Sequence, residues 1–541
     1  MNRRPKIEGA QRRDSSLDDL DEGEAPLDGP DEHTRLLPNR VDSQRELLLP
    51  DDPAVSPYNL WTIRILRYVT ILFAVLTFTW WTLLLVSTFA TPHGLHQRGS
   101  NFYAFSFASM ALANLLFTLV FFGIPAKSVR VVAVSMSFVL LLDIILLLSV
   151  QKTHYEEGWV GTVSVIWSLL MSLWVLVVDR AVKWGKQEEE ERLTGRAETR
   201  RTVFEWSMVL VSTIAYTIMM IATLLITMTI ILRALDASLA APGNLYWVDG
   251  GKYRIHLFCY GEKKLDATGA EMPTVLLEGG ERPVEHGLWQ LADNAVKNRS
   301  ISRFCFADRP GYAWSDTAPS PLSAGFATDV LGEALAHAGE HGPWVLVSAG
   351  IGSVHSRILS SRNGPETVRG LLLIDPLHED LLGSIGRPGR SFLLWLRGVI
   401  SPLGLDRLPG ALLRGRTSID RVYGRSAQQN GKLIFAKLQE SLVAGSFTKR
   451  ELDSSREIQR KETPLVVVSS GLSIKQSSDW GKKQRDLTEL TDNLKQWDIV
   501  DNAPHEVWST SRAVTSLRKG LKSLSIIASG RCELLSGGAL L

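Results

Sequence analysis

Cysteine is scarce in this sequence: Cys259, Cys305 and Cys532 are the three among 541 residues, and no Cys-x-x-Cys pair occurs. A disulfide framework is thereby excluded as an organising feature. Cys259 and Cys305 fall in strand-like runs and are expected to be buried free thiols, with one disulfide between them as the alternative. Charge is also sparse, at 21% of residues and a formal net of +2. The basic residues are scattered and lack an interleaved aromatic platform, so no nucleic-acid partner is expected. His337 and His341 have helical i, i+4 spacing, but no Glu follows His337 as His-Glu-x-x-His requires. They read as surface residues, and no metal or other cofactor is expected. No apolar stretch lies near the start, so no signal peptide is expected, and Asp18, Asp19 and Asp21 argue against a mitochondrial presequence.

Residues 1–58 are rich in acidic residues, Pro and Arg, and bury too little apolar surface to offset their ordering entropy; they are expected to be a disordered tail. Within it, Glu32, Leu36 and Leu37 resemble an acidic dileucine sorting signal of the kind read by clathrin adaptors. The region 59–235 then carries five long apolar runs, at about 63–90, 102–124, 131–150, 159–178 and 206–232. Each is near the ~20 residues that cross a bilayer core as a helix. Trp80, Trp81, Trp159, Trp174 and Trp206 suit interfacial anchoring, although Trp80 and Trp81 fall in mid-run. Seven Lys and Arg residues between 179 and 205, with Arg64 and Arg67 before the first run, put the N-terminus in the cytosol and the C-terminal part in a lumen. The expected location is an endomembrane or the vacuole, with a mitochondrial membrane as the alternative. Asn298-Arg-Ser300 is a glycosylation acceptor if that topology holds. Asp143 interrupts the third run. It is expected to hydrogen-bond to Ser and Thr of the fourth and fifth spans, with a proton or ligand site in a transporter-like protein as the other reading.

After a short linker, 236–245, the character changes. Strand-like runs at 253–259, 274–277, 303–307, 344–347, 370–374, 465–469 and 497–500 alternate with helical patterns at 287–296, 326–337, 351–362, 479–494 and 509–521. That alternation predicts an α/β domain with a mostly parallel sheet covered on both faces. An insertion at about 380–460 has the place of a cap. It holds eight arginines up to Arg425 around the apolar Phe392–Ile400 stretch, which suits an amphipathic lid at a membrane surface or a cap packed on the core. The end, 522–541, reads as a frayed tail.

The centre of the domain is Trp344-Val-Leu-Val-Ser348-Ala-Gly350-Ile-Gly-Ser353. An apolar run breaking into small residues and then a helical pattern is the outline of a strand, a sharp turn and a helix. In α/β-hydrolases that turn exposes a nucleophilic serine as Gly-x-Ser-x-Gly. Residues 246–521 resemble such a domain: Asp308-Arg-Pro-Gly-Tyr-Ala-Trp-Ser-Asp316 is similar to the segment after the fourth strand of lipase- and esterase-like members. Val368–Asp375 resembles the sixth strand, and Asn502-Ala-Pro-His505 the histidine loop after the last. The whole chain is similar to fungal multi-pass membrane proteins of unknown function.

The resemblance implies His505 at the position of the general base and Gly350 at that of the nucleophile, where no side chain exists to attack. Ser348 and Ser353 are the substitutes a remodelled turn would need. The segment after the seventh strand, 469–474, has no carboxylate. Asp375 is therefore the candidate acid, with a plain turn role as its competing reading, and Asp479 lies farther on. Gly279, Gly280 and Ile351 are the candidates for presenting N–H groups to an oxyanion or ligand, opposed by Glu278 and Glu281 unless a cation such as Arg282 neutralises them. Two functions follow. One is a membrane-anchored pseudo-hydrolase that binds a lipid-like ligand or partner; the other is an active lipid or ester hydrolase with a non-standard nucleophile. Membrane lipids are expected neighbours in both.

Overall fold

The computed structural model describes residues 60–194, 202–265 and 269–528. The segment with Glu32, Leu36 and Leu37 lies outside the described residues, as does Cys532. Five helices long and apolar enough to cross a membrane come first: α1 (Trp61–Phe89), α2 (Asn101–Val120), α3 (Lys127–Ser149), α4 (Gln151–Thr194) and α5 (Val203–Asp236). α4 breaks at Gly158, whose φ is 61°, and then runs on to Thr194. The basic segment after the fourth span is thus helical for most of its length, where the sequence suggested a loop. Three of the tryptophans hydrogen-bond to neighbouring helices. Trp80 donates to Ser164 Oγ at 3.0 Å, Trp81 to Ser109 Oγ at 2.9 Å and Trp174 to Thr70 Oγ1 at 3.1 Å, each tying two helices together.

Asp143 is fully buried on α3, beside Thr227 of α5. The expected interhelical contact is with the Thr227 side chain, although neither carboxyl oxygen reaches full hydrogen-bond geometry among the described residues. Thr223 and Thr227 also donate one turn back along their own helix, to the Met219 and Thr223 carbonyls at 2.9 and 3.0 Å.

The second part is an eight-stranded sheet in the order β1-β2-β4-β3-β5-β6-β7-β8. Its strands are β1 (Asn244–Val248), β2 (Tyr253–Gly261), β3 (Thr274–Glu278), β4 (Arg303–Ala307), β5 (Trp344–Ala349), β6 (Val368–Ile374), β7 (Leu465–Ser470) and β8 (Leu494–Val500). β1, β2 and β4 pair antiparallel and the rest are parallel. Side chains alternate across the sheet, so Val275 and Leu277 face one core while Leu276 faces the other. α6 (Leu288–Lys297) covers the first face, α7 (Ala324–His337) and α8 (Gly352–Arg362) the second. Between β6 and β7 lies the cap, made of α9 (Leu382–Ile385), α10 (Pro388–Ile400), α11 (Arg407–Leu413), α12 (Ser418–Val422), α13 (Gly431–Val443) and α14 (Lys449–Ile458). α15 (Gly471–Gln476) and α16 (Ser478–Thr488) follow β7. α17 (Ser511–Ala528) runs past Leu521, and Leu524 and Ala528 are buried in the first core. The expected fraying from 522 onward is corrected for 522–528, where a helical stripe of apolar residues has a sheet to pack on.

Cys259 and Cys305 are bonded to each other, not free. They are register partners in the antiparallel β2–β4 pair, with Cα atoms 4.0 Å apart. Both runs were legible as strands; that β4 crosses to lie beside β2 was not.

The two parts are joined on one side of the bundle. Thr317 donates to the Gln97 carbonyl and Arg98 to the Lys252 carbonyl, both at 2.9 Å. Glu156 of α4, which with Glu157 pairs with Arg233 of α5 at 2.7 and 2.6 Å, also meets Lys432 of the cap at 3.7 Å. Asp236 is held by two cap arginines, Arg407 at 2.5 Å and Arg421 at 2.6 Å. α10 seats Gly398 directly over the Phe102 ring, where an added Cβ would lie 2.0 Å from a ring carbon.

Candidate active site with an empty elbow

β5 delivers the chain to the turn at Gly350, whose φ is +50°, and α8 leaves from it. The turn is fastened to the end of β6, with Gly350 N–H donating to the Ile374 carbonyl at 3.0 Å and Leu377 N–H to the Gly350 carbonyl at 3.2 Å. A Cβ placed on Gly350 would lie 2.9 Å from His505 Nε2 and 3.8 Å from the Gly280 Cα. The position is therefore aimed at an imidazole, with the loop after β3 on its other side. Nothing projects from it.

His505 follows β8 and is half-exposed. Its Nδ1 lies 2.6 Å from Asp375 Oδ2, which assigns the ring proton to Nδ1 and leaves Nε2 as an acceptor facing Gly350. Asp375 is fully buried, and its other oxygen accepts from Ser470 N–H at 3.1 Å and Trp480 Nε1 at 3.0 Å. Burial draws the imidazole pKa down, but the hydrogen bond and charge of Asp375 more than offset this and hold it above the ordinary value. Asp375 also has the turn geometry of its competing reading, with φ at +42°, so the residue combines both. Asp479 is exposed and 3.4 Å from Lys483, away from the pair. Its neighbour Trp480 is the residue that reaches in, and nothing in the local sequence distinguishes it.

The two substitute serines are engaged elsewhere. Ser348 Oγ lies 2.6 Å from Ser356 Oγ. Ser353 Oγ donates to the Gly350 carbonyl at 2.7 Å and accepts from Leu377 N–H at 3.1 Å. Both are fully buried. Ile351 stands at the start of α8 and Gly280 faces the elbow; Gly279 precedes them against the Arg282 carbonyl.

The electrostatics around Gly280 differ from the expectation for Arg282, which pairs with Glu506 at 3.0 Å. The cation at the loop is Arg309, buried and donating to the Gly280 carbonyl at 2.5 Å. The Asp308–Asp316 motif carries it, and that was the available signal. Glu278 is buried at the end of β3, and desolvation pushes its carboxyl up to about 8 despite Arg309. Between about pH 4.5 and 8 the folded chain thus keeps a proton that the unfolded chain releases, so this residue lowers stability as pH rises through that window. Glu278→Gln is expected to be more stable than the parent at pH 7 by on the order of 3 kcal/mol. The gain should vanish near pH 4.5 in melting curves taken across the range, and a pH-independent difference would contradict the assignment.

Three groupings have donor spacing compatible with a metal ion among the described residues. Cys259 and Cys305 are consumed by their disulfide. His378, Glu379 and Asp486 surround Arg456, and Glu379 also meets Arg357 at 2.9 Å, so two guanidiniums hold the place of a cation. In the third, His256 Nδ1 lies 2.9 Å from Asp308 with Glu285 alongside, all buried.

Asn298 caps the C-terminus of α6 and is exposed, as a glycan acceptor must be. Residues 32–259 match a family model described as a region of unknown function, DUF2417. An uncharacterized protein of Schizosaccharomyces pombe is 32% identical over 510 residues, covering 88% of this chain and 93% of its own length. An uncharacterized vacuolar membrane protein of Saccharomyces cerevisiae is 28% identical over 313 residues, 49% of this chain and 47% of that protein. The chain thus matches about half the length of the budding-yeast relative. Among solved structures, an enol-lactonase from Burkholderia xenovorans has 15% identity and a TM-score of 0.35, with 52% of this chain covering 99% of that one. A thermophilic esterase from Thermogutta terrifontis has 14% identity and a TM-score of 0.35, with 52% of this chain covering all of that one. With nearly a third of its residues shared along almost the full length of the fission-yeast protein, the chain belongs to a family of fungal membrane proteins, and in it five apolar helices precede a domain of the α/β-hydrolase fold.

Proposed function

We propose that the domain is a pseudo-hydrolase, which uses the pocket over Gly350 to bind a lipid-like ligand or partner without acylation by it. The observation that carries this is the elbow itself. Its backbone, its base and its acid stand in working relation, and the one atom that would attack is missing. The alternative, an active lipid or ester hydrolase using Ser348 or Ser353, requires breaking buried hydrogen bonds at Ser356 or Gly350 and turning a hydroxyl toward His505. The test is labelling of the purified protein with a serine-directed fluorophosphonate. No adduct is expected; an adduct on Ser348 or Ser353 that is lost in His505→Ala would overturn the reading.

The proposed orientation rests on the basic residues between 179 and 205: N-terminus in the cytosol, hydrolase domain in the lumen of an endomembrane compartment such as the vacuole. The Cys259–Cys305 disulfide belongs to an oxidising compartment, and the exposed Asn298 sequon agrees with it. The dileucine-like Glu32, Leu36 and Leu37 then face cytosolic clathrin adaptors. Two measurements check this together. A glycosidase-sensitive gel shift is expected to disappear in Asn298→Gln. A maleimide tag is expected to add once to the denatured, unreduced chain and three times after reduction. Three tags before reduction and no glycan would place the domain in the cytosol.

A further inference from the structure

The junction between bundle and cap contains a charge imbalance that the chain does not resolve by itself. Lys152, Arg233, Arg407, Arg421 and Lys432 gather there against Glu156, Glu157 and Asp236. Of these, four basic side chains and two carboxylates line a void of about 30 Å³, room for roughly one water. Buried charge without a counter-ion is costly, so a site of this kind attracts an anion.

Arg407 also lines a second, larger space. A groove of about 460 Å³ runs along α10 and the turn after it, walled by Leu393, Leu396, Ile400, Leu405 and Ile434. Its charged residues are Arg397, Arg407 and one carboxylate, Asp406. The volume is in the roughly 300–1,000 Å³ range of small-molecule sites.

The position of this groove relative to a bilayer can be read from α5. The turn after α10 packs Gly404 on Thr229, and Leu403 joins an apolar cluster of the bundle with Met110, Ile226 and Ile230. From Trp206 to Thr229 is ~34 Å along the helix, against ~30 Å for the hydrocarbon core. α10 therefore lies at the acyl–headgroup boundary of the leaflet facing the hydrolase domain. Its outward residues match that place, with Phe392 57% and Leu393 64% exposed, and Leu412 and Leu413 on α11 at 75% and 84%. Interleaved with them, Arg387, Arg390, Arg397 and Arg414 are exposed with no acidic partner among the described residues. Apolar anchors and unpaired arginines at one level are the signature of an element that sits in an anionic leaflet.

We propose that the groove along α10 seats one acyl chain of an anionic phospholipid from that leaflet, with Arg397 and Arg407 holding its headgroup. The lipid thereby supplies the negative charge that the junction lacks and fastens the cap to the bilayer. The proposal rests on the membrane placement of the bundle and not on the chemistry at Gly350. Its test is a titration of purified full-length protein in detergent with phosphatidylserine and phosphatidylcholine carrying a fluorescent acyl chain. Phosphatidylserine is expected to bind at about one per chain and at least tenfold tighter than phosphatidylcholine. Leu396→Trp, which fills the groove, should weaken both lipids at least tenfold, and Arg397→Glu should weaken phosphatidylserine selectively. Should Leu396→Trp fail to fold, Leu393→Glu puts a charge in the same groove from an exposed position and carries the same expected loss. Equal binding of the two lipids, absence of saturable binding, or binding untouched by the groove variants would each overturn the proposal.

Discussion

Gly350→Ser is expected to turn the domain into an enzyme that acylates itself. The new Cβ would point at His505 Nε2 from 2.9 Å, so the imidazole has to withdraw by a few tenths of an ångström. His505 can do so because its ring is half-exposed and is held by Asp375 from the far side. The serine must adopt a φ near +50°, a strained value that elbow nucleophiles tolerate because the turn is over-determined by its neighbours. Here those neighbours are the bonds to Ile374 and Leu377. Losing a triad nucleophile typically removes about 10⁶ in turnover. Restoring one in a pocket not selected for turnover should recover part of that, at least ~10² in hydrolysis of a small activated ester. A fluorophosphonate should label residue 350 stoichiometrically, and His505→Ala in that background should abolish the label. Asp375→Asn should depress the rate by up to about 10⁴ through the wrong imidazole tautomer. If Gly350→Ser melts like the parent and yet takes no label, the imidazole does not face the elbow as described.

The second large effect belongs to Asp236. This single buried carboxylate at the end of α5 is shared between Arg407 and Arg421 of the cap, through three of its hydrogen bonds to Arg421 and one to Arg407. Asp236→Ala leaves two guanidiniums buried and adds to a surplus of positive charge already present. Breaking a buried pair in this way costs about 3–5 kcal/mol, which is expected to lower the thermal midpoint by on the order of 5–10 °C. Asp236→Asn preserves shape and some hydrogen bonding and should fall between the two. Melting of the purified protein in one detergent measures all three, with limited proteolysis at 400–430 reporting whether the cap is what loosens. An unchanged midpoint in Asp236→Ala would mean that Phe102, Gly398 and Leu403 hold the cap by apolar contact alone.

These expectations differ in how far they could be seen without coordinates. The five spans and most strands are local properties, set by the length of an apolar run or by its alternation, and the sequence carries them whole. Gly350 and His505 were also legible, because each lies at a fixed distance from an element that can be recognised by itself. Asp375 was not resolved from its turn role or from Asp479. The choice depends on which carboxylate the end of β6 brings within 2.6 Å of an imidazole 130 residues later. Cys259 and Cys305 were misjudged for the same reason: thiols in two strands are alike until the crossover that sets β4 beside β2 is known. That Asp143 would meet Thr227, out of the many Ser and Thr residues of the fourth and fifth spans, is a choice only helix packing makes. Asp236 gives no local sign at all. By itself the sequence determined a bundle, an α/β domain and a glycine at the turn after the central strand. Tertiary structure alone decided which charges met, because burial and pairing depend on contacts between residues far apart in the chain.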